Sequence, residues 1–145
     1  MTIDLPDEAA TARLGARLAA ALRPGEAICL SGPLGAGKST LARGLVRALT
    51  GPDQDVPSPT FTLVQFYDGP LFPVAHFDLY RLTRADEAYE IGLDEALEDG
   101  AVLIEWPQRL DGRLPLDRLD IEIAIVGQAR TARLTPHGAW EGRSF

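Results

Sequence analysis

The feature that most constrains this chain is a glycine-rich turn that lies between an apolar run and an amphipathic segment. Residues 32–39 read Gly-Pro-Leu-Gly-Ala-Gly-Lys-Ser and match the pattern G-x-x-x-x-G-K-[ST]. The apolar run at residues 27–30 predicts a strand before the turn, and Lys38–Leu49 predicts a helix after it. Glycines let backbone amides approach a phosphate without a Cβ in the way, and a helix directs the positive end of its dipole at the same anion. The segment 32–40 is therefore predicted to be a P-loop that binds the phosphates of ATP together with Mg²⁺.

Individual residues of the predicted P-loop have distinct expected roles. Lys38 is the only lysine among 14 basic side chains and would give its ammonium to the β- and γ-phosphates. The hydroxyl of Ser39 would bind Mg²⁺, and Thr40 with the backbone around it would reach the α-phosphate. Guanine-specific P-loop proteins typically read their base with an Asn-Lys-x-Asp segment, and this chain contains no asparagine, so adenine is the expected base. A glycine-rich turn without a ligand is the alternative to all these roles.

Length, charge and composition limit the class of protein. With 145 residues, 46% of them hydrophobic, the chain is expected to form a single domain, residues 1–145. Its formal charge of −7 would repel a polyanion, so any nucleic acid is expected to be held by a partner. The one cysteine, Cys29, lies in an apolar run and is expected to be a buried thiol in a reducing cytosol. A secretory leader and a membrane span are both disfavoured, because no basic N-terminal region precedes an apolar stretch and no run of 18 apolar residues occurs.

Hydrophobic periodicity along the chain predicts helices interleaved with strands. Helices are predicted at residues 7–22, 38–49 and 84–97, the last broken near Gly92. Strands are predicted at residues 27–30, 60–67, 74–77 and 101–104, with a loop at 50–59. Alternation from Asp120 and again at 131–135, around a turn at 127–129, predicts an antiparallel hairpin. The expected fold is α/β, a P-loop NTPase-like three-layer sandwich with a mainly parallel central sheet and antiparallel C-terminal strands.

Acidic residues follow two of the predicted strands and could serve the metal. Glu105 directly follows the run at 101–104, and Asp78 directly follows 74–77. A magnesium–triphosphate site needs a carboxylate at the end of a strand beside the P-loop, so either acid could fill that position. Thr60 could meet the γ-phosphate or the metal as a switch residue, or could simply begin a strand. His76 is expected to be a packed or hydrogen-bonded imidazole, because nothing pairs it with a serine or cysteine nucleophile.

Four sequence blocks, taken together and in this order, resemble one family. They are Gly-Ala-Gly-Lys-Ser-Thr at 35–40, Ser-Pro-Thr-Phe-Thr-Leu at 58–63, His-Phe-Asp-Leu-Tyr-Arg at 76–81 and Ile-Glu-Trp at 104–106. With them the chain resembles the TsaE (YjeE) family of bacterial ATPases over roughly residues 5–125. The resemblance implies a cytoplasmic ATP-binding and ATP-hydrolysing subunit that serves the threonylcarbamoyladenosine modification of tRNA, at the adenosine beside the anticodon. It further implies association with the threonylcarbamoyl transferase and its paralogous partner, whose repeated turnover needs the ATP hydrolysis.

The resemblance also implies roles for particular residues. The phosphates would be held by the loop residues Gly35, Ala36, Gly37, Lys38, Ser39 and Thr40. Mg²⁺ would be held by Ser39 and Glu105, while Asp78 would lie close to the metal and the attacking water. Thr60 would belong to the loop that responds to the γ-phosphate and to the partner. Glu8 would lie near the nucleotide, although as a bare helix start it would be only a cap. Gln108 departs from the family pattern, which often has an acid there, so no carboxylate role can be placed at that position.

Two other functions share the same phosphate cradle. A small-molecule or nucleotide kinase would need an acceptor pocket and an arginine-bearing lid, for which the chain offers little length. A nucleotide-gated binding module would use ATP only to order the loop at Ser58, with hydrolysis incidental. The first would phosphorylate an acceptor, and the second would stay active when hydrolysis is abolished.

Overall fold

A computed structural model describes the whole chain, residues 1–145. The sheet contains seven strands: β1 Thr2–Leu5, β2 Ala27–Ser31, β3 Val64–Asp68, β4 Pro73–Asp78, β5 Ala101–Glu105, β6 Arg118–Val126 and β7 Ala129–His137. The helices are α1 Glu8–Ala21, α2 Lys38–Leu49, α3 Asp86–Glu90 and α4 Leu93–Asp99, with short 3₁₀ turns at Pro107–Leu110 and Gly138–Trp140. None of the helices combines the length and the apolar character that crossing a bilayer requires.

The strands form one sheet in the order β1-β7-β6-β2-β5-β4-β3. β2 is parallel to both β5 and β6, and β5 is parallel to β4, so the centre of the sheet is parallel. The pairs β6–β7, β1–β7 and β3–β4 are antiparallel. The predicted mainly parallel sheet with an antiparallel C-terminal hairpin is confirmed, but neither the edge strand β1 nor the antiparallel direction of β3 at the other edge was predicted. β1 has the sequence Thr-Ile-Asp-Leu, and all four of its residues pair with residues 130–133 of β7.

Side chains on the two faces of the sheet pack into separate cores. On one face, alternate residues such as Ile28 and Leu103 pack under the long helices α1 and α2. On the other face, residues such as Cys29 and Ile104 pack under α3 and α4. The three-layer sandwich is therefore confirmed, and Cys29 is the buried thiol that was expected, with its pKa raised by burial to about 12. Helices α1 and α2 meet closely at Gly15, where an added Cβ would clash with the backbone of α2.

Two local predictions need correction or refinement. The strand predicted at 60–67 begins only at Val64, because residues 60–63 form a turn in which Leu63 has φ +71° and donates its N–H to the Pro59 carbonyl at 2.7 Å. The helix predicted at 84–97 is two short helices separated at Gly92, whose φ of +98° is readily available only to glycine. The predicted break near Gly92 is therefore confirmed, whereas the predicted strand is wrong over residues 60–63, which form a turn.

Candidate functional site

The P-loop leaves the end of β2 and enters the first turn of α2. Gly32 and Gly35 have φ of +147° and +80°, and Gly37 occupies the N-cap of α2 with φ +111°. No side chain caps the first turn of α2 and no acidic residue lies in that turn. The free amides and the positive end of the helix dipole therefore face the open space above the loop, where an anion would satisfy them.

Lys38 is the first residue of α2, and its side chain folds back over the loop. Its ammonium donates hydrogen bonds to the carbonyl oxygens of Gly32 and Pro33, the second at 3.2 Å. The same Nζ lies 4.7 Å from the centroid of the Trp106 ring. Burial lowers the pKa of Lys38 below its ordinary value, although the nearby Glu105 and Asp78 carboxylates act in the opposite direction. The lysine is a buried cation held by two carbonyl oxygens and an aromatic face.

Asp78 and Glu105 occupy neighbouring positions at the ends of two parallel strands. They are paired in register across β4 and β5, and both point to the α2 face of the sheet. Asp78 is 4% exposed and Glu105 is 3% exposed. The two oxygens of Asp78 accept hydrogen bonds from the Tyr80 N–H at 3.0 Å and from the Thr60 hydroxyl at 3.1 Å. One oxygen of Glu105 lies 2.7 Å from His76 Nε2.

A cleft of about 320 Å³ lies over the P-loop and is lined by all the site residues that were predicted from the sequence. These are Glu8, Gly35, Ala36, Gly37, Lys38, Ser39, Thr40, Thr60, Asp78 and Glu105. They come from α1, the P-loop, the turn before β3, and the ends of β4 and β5. The structure thus brings together in one place residues that were singled out in separate parts of the chain.

Asp7 and Glu8 have different roles at the start of α1. The helix is capped by Asp7, whose Oδ1 accepts a hydrogen bond from the Ala10 N–H at 2.8 Å. The carboxylate of Glu8 makes no hydrogen bond within the protein and is exposed at the cleft. Glu8 therefore does not serve as the cap, which was the alternative to its position near a nucleotide.

Several residues that line the cleft were missed from the sequence. Gln128 and Arg130 follow β6, and the guanidinium of Arg130 donates to the Gly35 carbonyl at 3.2 Å. The signal that could have found them is the direction of β6, since a strand parallel to β2 ends at the same edge of the sheet as the P-loop. Trp106 follows β5 with φ +60°, and its ring lies against the Lys38 ammonium.

Comparison with known proteins identifies the family. A family model described as "Threonylcarbamoyl adenosine biosynthesis protein TsaE" matches residues 5–133. The chain belongs to the TsaE family. The tRNA threonylcarbamoyladenosine biosynthesis protein TsaE of Streptomyces coelicolor is 44% identical over 115 residues, 76% of each chain. The protein of the same name from Bacillus subtilis is 38% identical over 127 residues, 87% of this chain and 77% of its own. The crystal structure of Bacillus subtilis YdiB superposes with a TM-score of 0.81 at 32% identity, covering 97% of this chain and 88% of that one.

The donor atoms in the cleft of this TsaE-family chain suit a magnesium ion. The Ser39 hydroxyl has no hydrogen-bond partner within the protein, and only one oxygen of Glu105 has one. Hydroxyl and carboxylate oxygens are the hard ligands that Mg²⁺ prefers, and it usually retains several waters beside one or two protein ligands. Both oxygens of Asp78 already accept hydrogen bonds inside the protein. The donor set therefore favours Ser39 and Glu105 over Asp78 as direct metal ligands.

Proposed function

We propose that this TsaE-family chain binds ATP with Mg²⁺ in the cleft over the P-loop and hydrolyses it in support of threonylcarbamoyladenosine formation on tRNA. Its partners in this function are the threonylcarbamoyl transferase and the paralogous partner subunit of that enzyme. The names of the Streptomyces and Bacillus relatives, which refer to tRNA threonylcarbamoyladenosine biosynthesis, support the role in tRNA modification. Residues 1–145 would act as one ATPase domain, because all seven strands belong to a single sheet. The role on tRNA implies a cytoplasmic location.

One observation carries the proposal: a buried lysine, two buried strand-end carboxylates and an uncapped helix N-terminus line the same cleft. A structural role alone would not explain this arrangement, since a buried charge costs free energy unless it is paired or has a ligand. The carboxylates of Asp78 and Glu105 and the ammonium of Lys38 would together suit a magnesium–triphosphate ligand. The net charge of −7 also supports a partner as the route to tRNA.

Each residue at the core of the cleft has a defined role in this proposal. Lys38 would exchange its carbonyl partners for the β- and γ-phosphate oxygens, while the amides of residues 35–40 hold the phosphate chain. Ser39 and Glu105 would hold Mg²⁺, which supplies charge stabilisation on the phosphates. Asp78 would orient the attacking water, because the Tyr80 amide and the Thr60 hydroxyl fix its carboxylate at the cleft.

Hydrolysis by the isolated chain is expected to be slow. Only two cationic side chains, Lys38 and Arg130, line the cleft, and Arg130 is held by the carbonyls of Gly35 and Ala129. Arg81 lies outside the cleft lining, with its guanidinium 4.4 Å from the centroid of the Phe61 ring. A further cation at the transition state accelerates P-loop ATPases and GTPases by several orders of magnitude. We therefore expect the partner complex to raise the rate by supplying or repositioning an arginine.

The test is reconstitution of tRNA modification with the transferase, its paralogous partner, tRNA and ATP. The measured quantity is the number of modified tRNA molecules per transferase over many turnovers. The wild-type chain is expected to sustain repeated turnover, whereas Lys38→Ala and Asp78→Ala should reduce it at least tenfold. Asp94→Ala makes the same chemical change at an exposed position on α4 and should leave turnover unchanged.

Two results would reject this function. Full turnover with Asp78→Ala, in a protein that binds ATP but does not hydrolyse it, would favour the nucleotide-gated binding module. Efficient transfer of the γ-phosphate to a nucleoside or sugar acceptor would favour the kinase. Calorimetry with Mg²⁺ and ATP must accompany both assays, since it separates a loss of binding from a loss of hydrolysis.

A further inference from the structure

His76 is a buried polar residue that the proposed chemistry does not use directly. It lies in the middle of β4, on the face that packs under α2, and is 2% exposed. Its Nε2 lies 2.7 Å from Oε2 of Glu105, and the side chains of both residues are almost completely buried. Its Nδ1 is also buried and has no hydrogen-bond partner. His76 does not line the cleft, so it touches the site only through Glu105.

Burial of an imidazole at this position costs free energy that an apolar residue would avoid. Val74, two residues earlier on the same strand face, is part of the hydrophobic core. An aliphatic side chain at position 76 would continue that core without leaving Nδ1 unsatisfied. The one polar contact that His76 makes is with the Glu105 carboxylate, so the function of the imidazole has to be sought in that contact.

The hydrogen-bond pattern defines which imidazole nitrogen carries the proton. A proton on Nδ1 would be buried without an acceptor, whereas a proton on Nε2 is donated to the Glu105 carboxylate. The tautomer with Nε2–H therefore satisfies the only donor of a neutral ring. This bond occupies Oε2 of Glu105 and leaves the other carboxylate oxygen, Oε1, without a partner at the cleft.

We propose that His76 is a positioning residue whose Nε2–H fixes the Glu105 carboxylate so that its free oxygen faces the magnesium site. The inference rests on the proposed function, because Glu105 is there assigned as a metal ligand. Groups that orient a ligating carboxylate have a measurable effect on metal sites, and their loss typically lowers metal affinity by about 10–100-fold. The effect should fall on the metal-dependent part of nucleotide binding and should spare the part due to the P-loop.

Three substitutions separate positioning from packing. His76→Gln keeps an amide N–H near the place of Nε2 and should retain the bond to Glu105. His76→Asn is also polar, but its amide lies near the place of Nδ1 and cannot reach the carboxylate. His76→Leu fills the space with an apolar group and removes the donor. All three are compared with wild type by thermal unfolding, so that a variant with lost packing is recognised.

The experiment is calorimetric titration with a non-hydrolysable ATP analogue, with Mg²⁺ and with EDTA. The dissociation constant in EDTA divided by that with Mg²⁺ measures the contribution of the metal to binding, without any catalytic turnover. Wild type and His76→Gln are expected to give the same ratio within about threefold, whereas His76→Asn and His76→Leu should reduce it about 10–100-fold. Affinity in EDTA should be the same in all four proteins. ¹⁵N NMR of the wild-type protein should show His76 protonated at Nε2 and not at Nδ1.

The outcomes distinguish this inference from the proposed function. A wild-type ratio near one would overturn the magnesium site itself and the role of His76 with it. A large wild-type ratio that is retained in correctly folded His76→Asn and His76→Leu would overturn only the positioning role. A neutral ring with its proton on Nδ1 would also overturn it, since Nε2 could then not donate to Glu105. Equal losses with Mg²⁺ and with EDTA would assign His76 to packing.

Discussion

Replacement of Gly32 by alanine tests how the P-loop is held against the sheet. Gly32 has φ +147°, a conformation that residues with a Cβ rarely adopt, and a Cβ added there would lie 2.6 Å from the carbonyl oxygen of Ile123. Ile123 belongs to β6 and is paired with Ala132 of β7, so its carbonyl cannot simply move aside. The loop and β6 would have to separate by roughly 0.8 Å to restore an ordinary contact.

The expected loss of stability has two parts, and a second glycine separates them. The unfavourable φ costs about 1–3 kcal/mol, and overpacking against β6 adds about 1–3 kcal/mol. Gly25 has φ +86° but no atom lies within 4 Å of an added Cβ, so Gly25→Ala pays only the first part. Gly32→Ala should therefore lower the free energy of unfolding by about 1–3 kcal/mol more than Gly25→Ala. For a chain of this length that difference corresponds to roughly 3–10 °C in the melting temperature.

Urea unfolding followed by circular dichroism measures the stability difference, and calorimetry with Mg²⁺ and ATP measures its effect on the site. Gly32→Ala should also weaken nucleotide binding at least tenfold, because the shifted loop no longer directs its amides at the phosphates. Gly25 lies outside the cleft, so Gly25→Ala should bind as wild type does. Equal losses of stability in the two variants would refute the argument, since contact with β6 would then contribute nothing.

Other perturbations test the charges and rings around the cleft and the core. Lys38→Met should weaken Mg-ATP binding about 10–100-fold, since each charged hydrogen bond contributes about 1.5–3 kcal/mol. Burial lowers the pKa of Lys38 from 10.5, so the unfolded chain binds the Lys38 proton more tightly than the folded chain does. As the pH rises from the lowered pKa to 10.5, the free energy of unfolding of the wild type should therefore increase relative to that of Lys38→Met. Thermal unfolding at pH 7 and pH 10 checks that sign. Nucleotide binding should change the tryptophan emission in Trp140→Phe but not in Trp106→Phe, because only the Trp106 ring contacts the Lys38 ammonium. The Arg143 guanidinium donates to the two carboxylate oxygens of Glu26 at 2.6 and 2.7 Å. Glu26→Gln gives it a neutral partner and should lower the free energy of unfolding, measured with urea, by about 3 kcal/mol without changing nucleotide affinity.

Local sequence signals were sufficient for the elements that carry the P-loop. The apolar run before Gly32, the glycine pattern and the helical spacing after Lys38 each reflect short-range physics, and the structure has β2, the loop and α2 in these places. Gly92 was equally readable, because its positive φ ends one helix and begins another within a few residues. Such features depend on backbone freedom and periodicity, which a single sequence displays directly.

Contacts between distant residues were not readable in the same way. Thr60 has strand propensity, but its hydroxyl donates to Asp78, 18 positions later, and the backbone around it turns. The bond between Arg130 and the Gly35 carbonyl spans 95 positions. Neither contact follows from propensity, because each depends on which strands are neighbours in the sheet. Strand order was the missing information, and here tertiary contacts decide local conformation.

Strand order also explains why the functional residues concentrate at one edge. Alternation along β4 requires His76 and Asp78 to share a face, a relation that the sequence alone contains. Only the parallel pairing of β4 with β5 turns that relation into a contact, since it sets Asp78 opposite Glu105 and brings His76 within reach of the same carboxylate. The pairing of β2 with β5 then places both strand ends beside the P-loop. A sequence with the same motifs but with β4 elsewhere in the sheet would keep its P-loop and Glu105. It would lose Asp78 from the cleft, and it would lose the contact between His76 and Glu105.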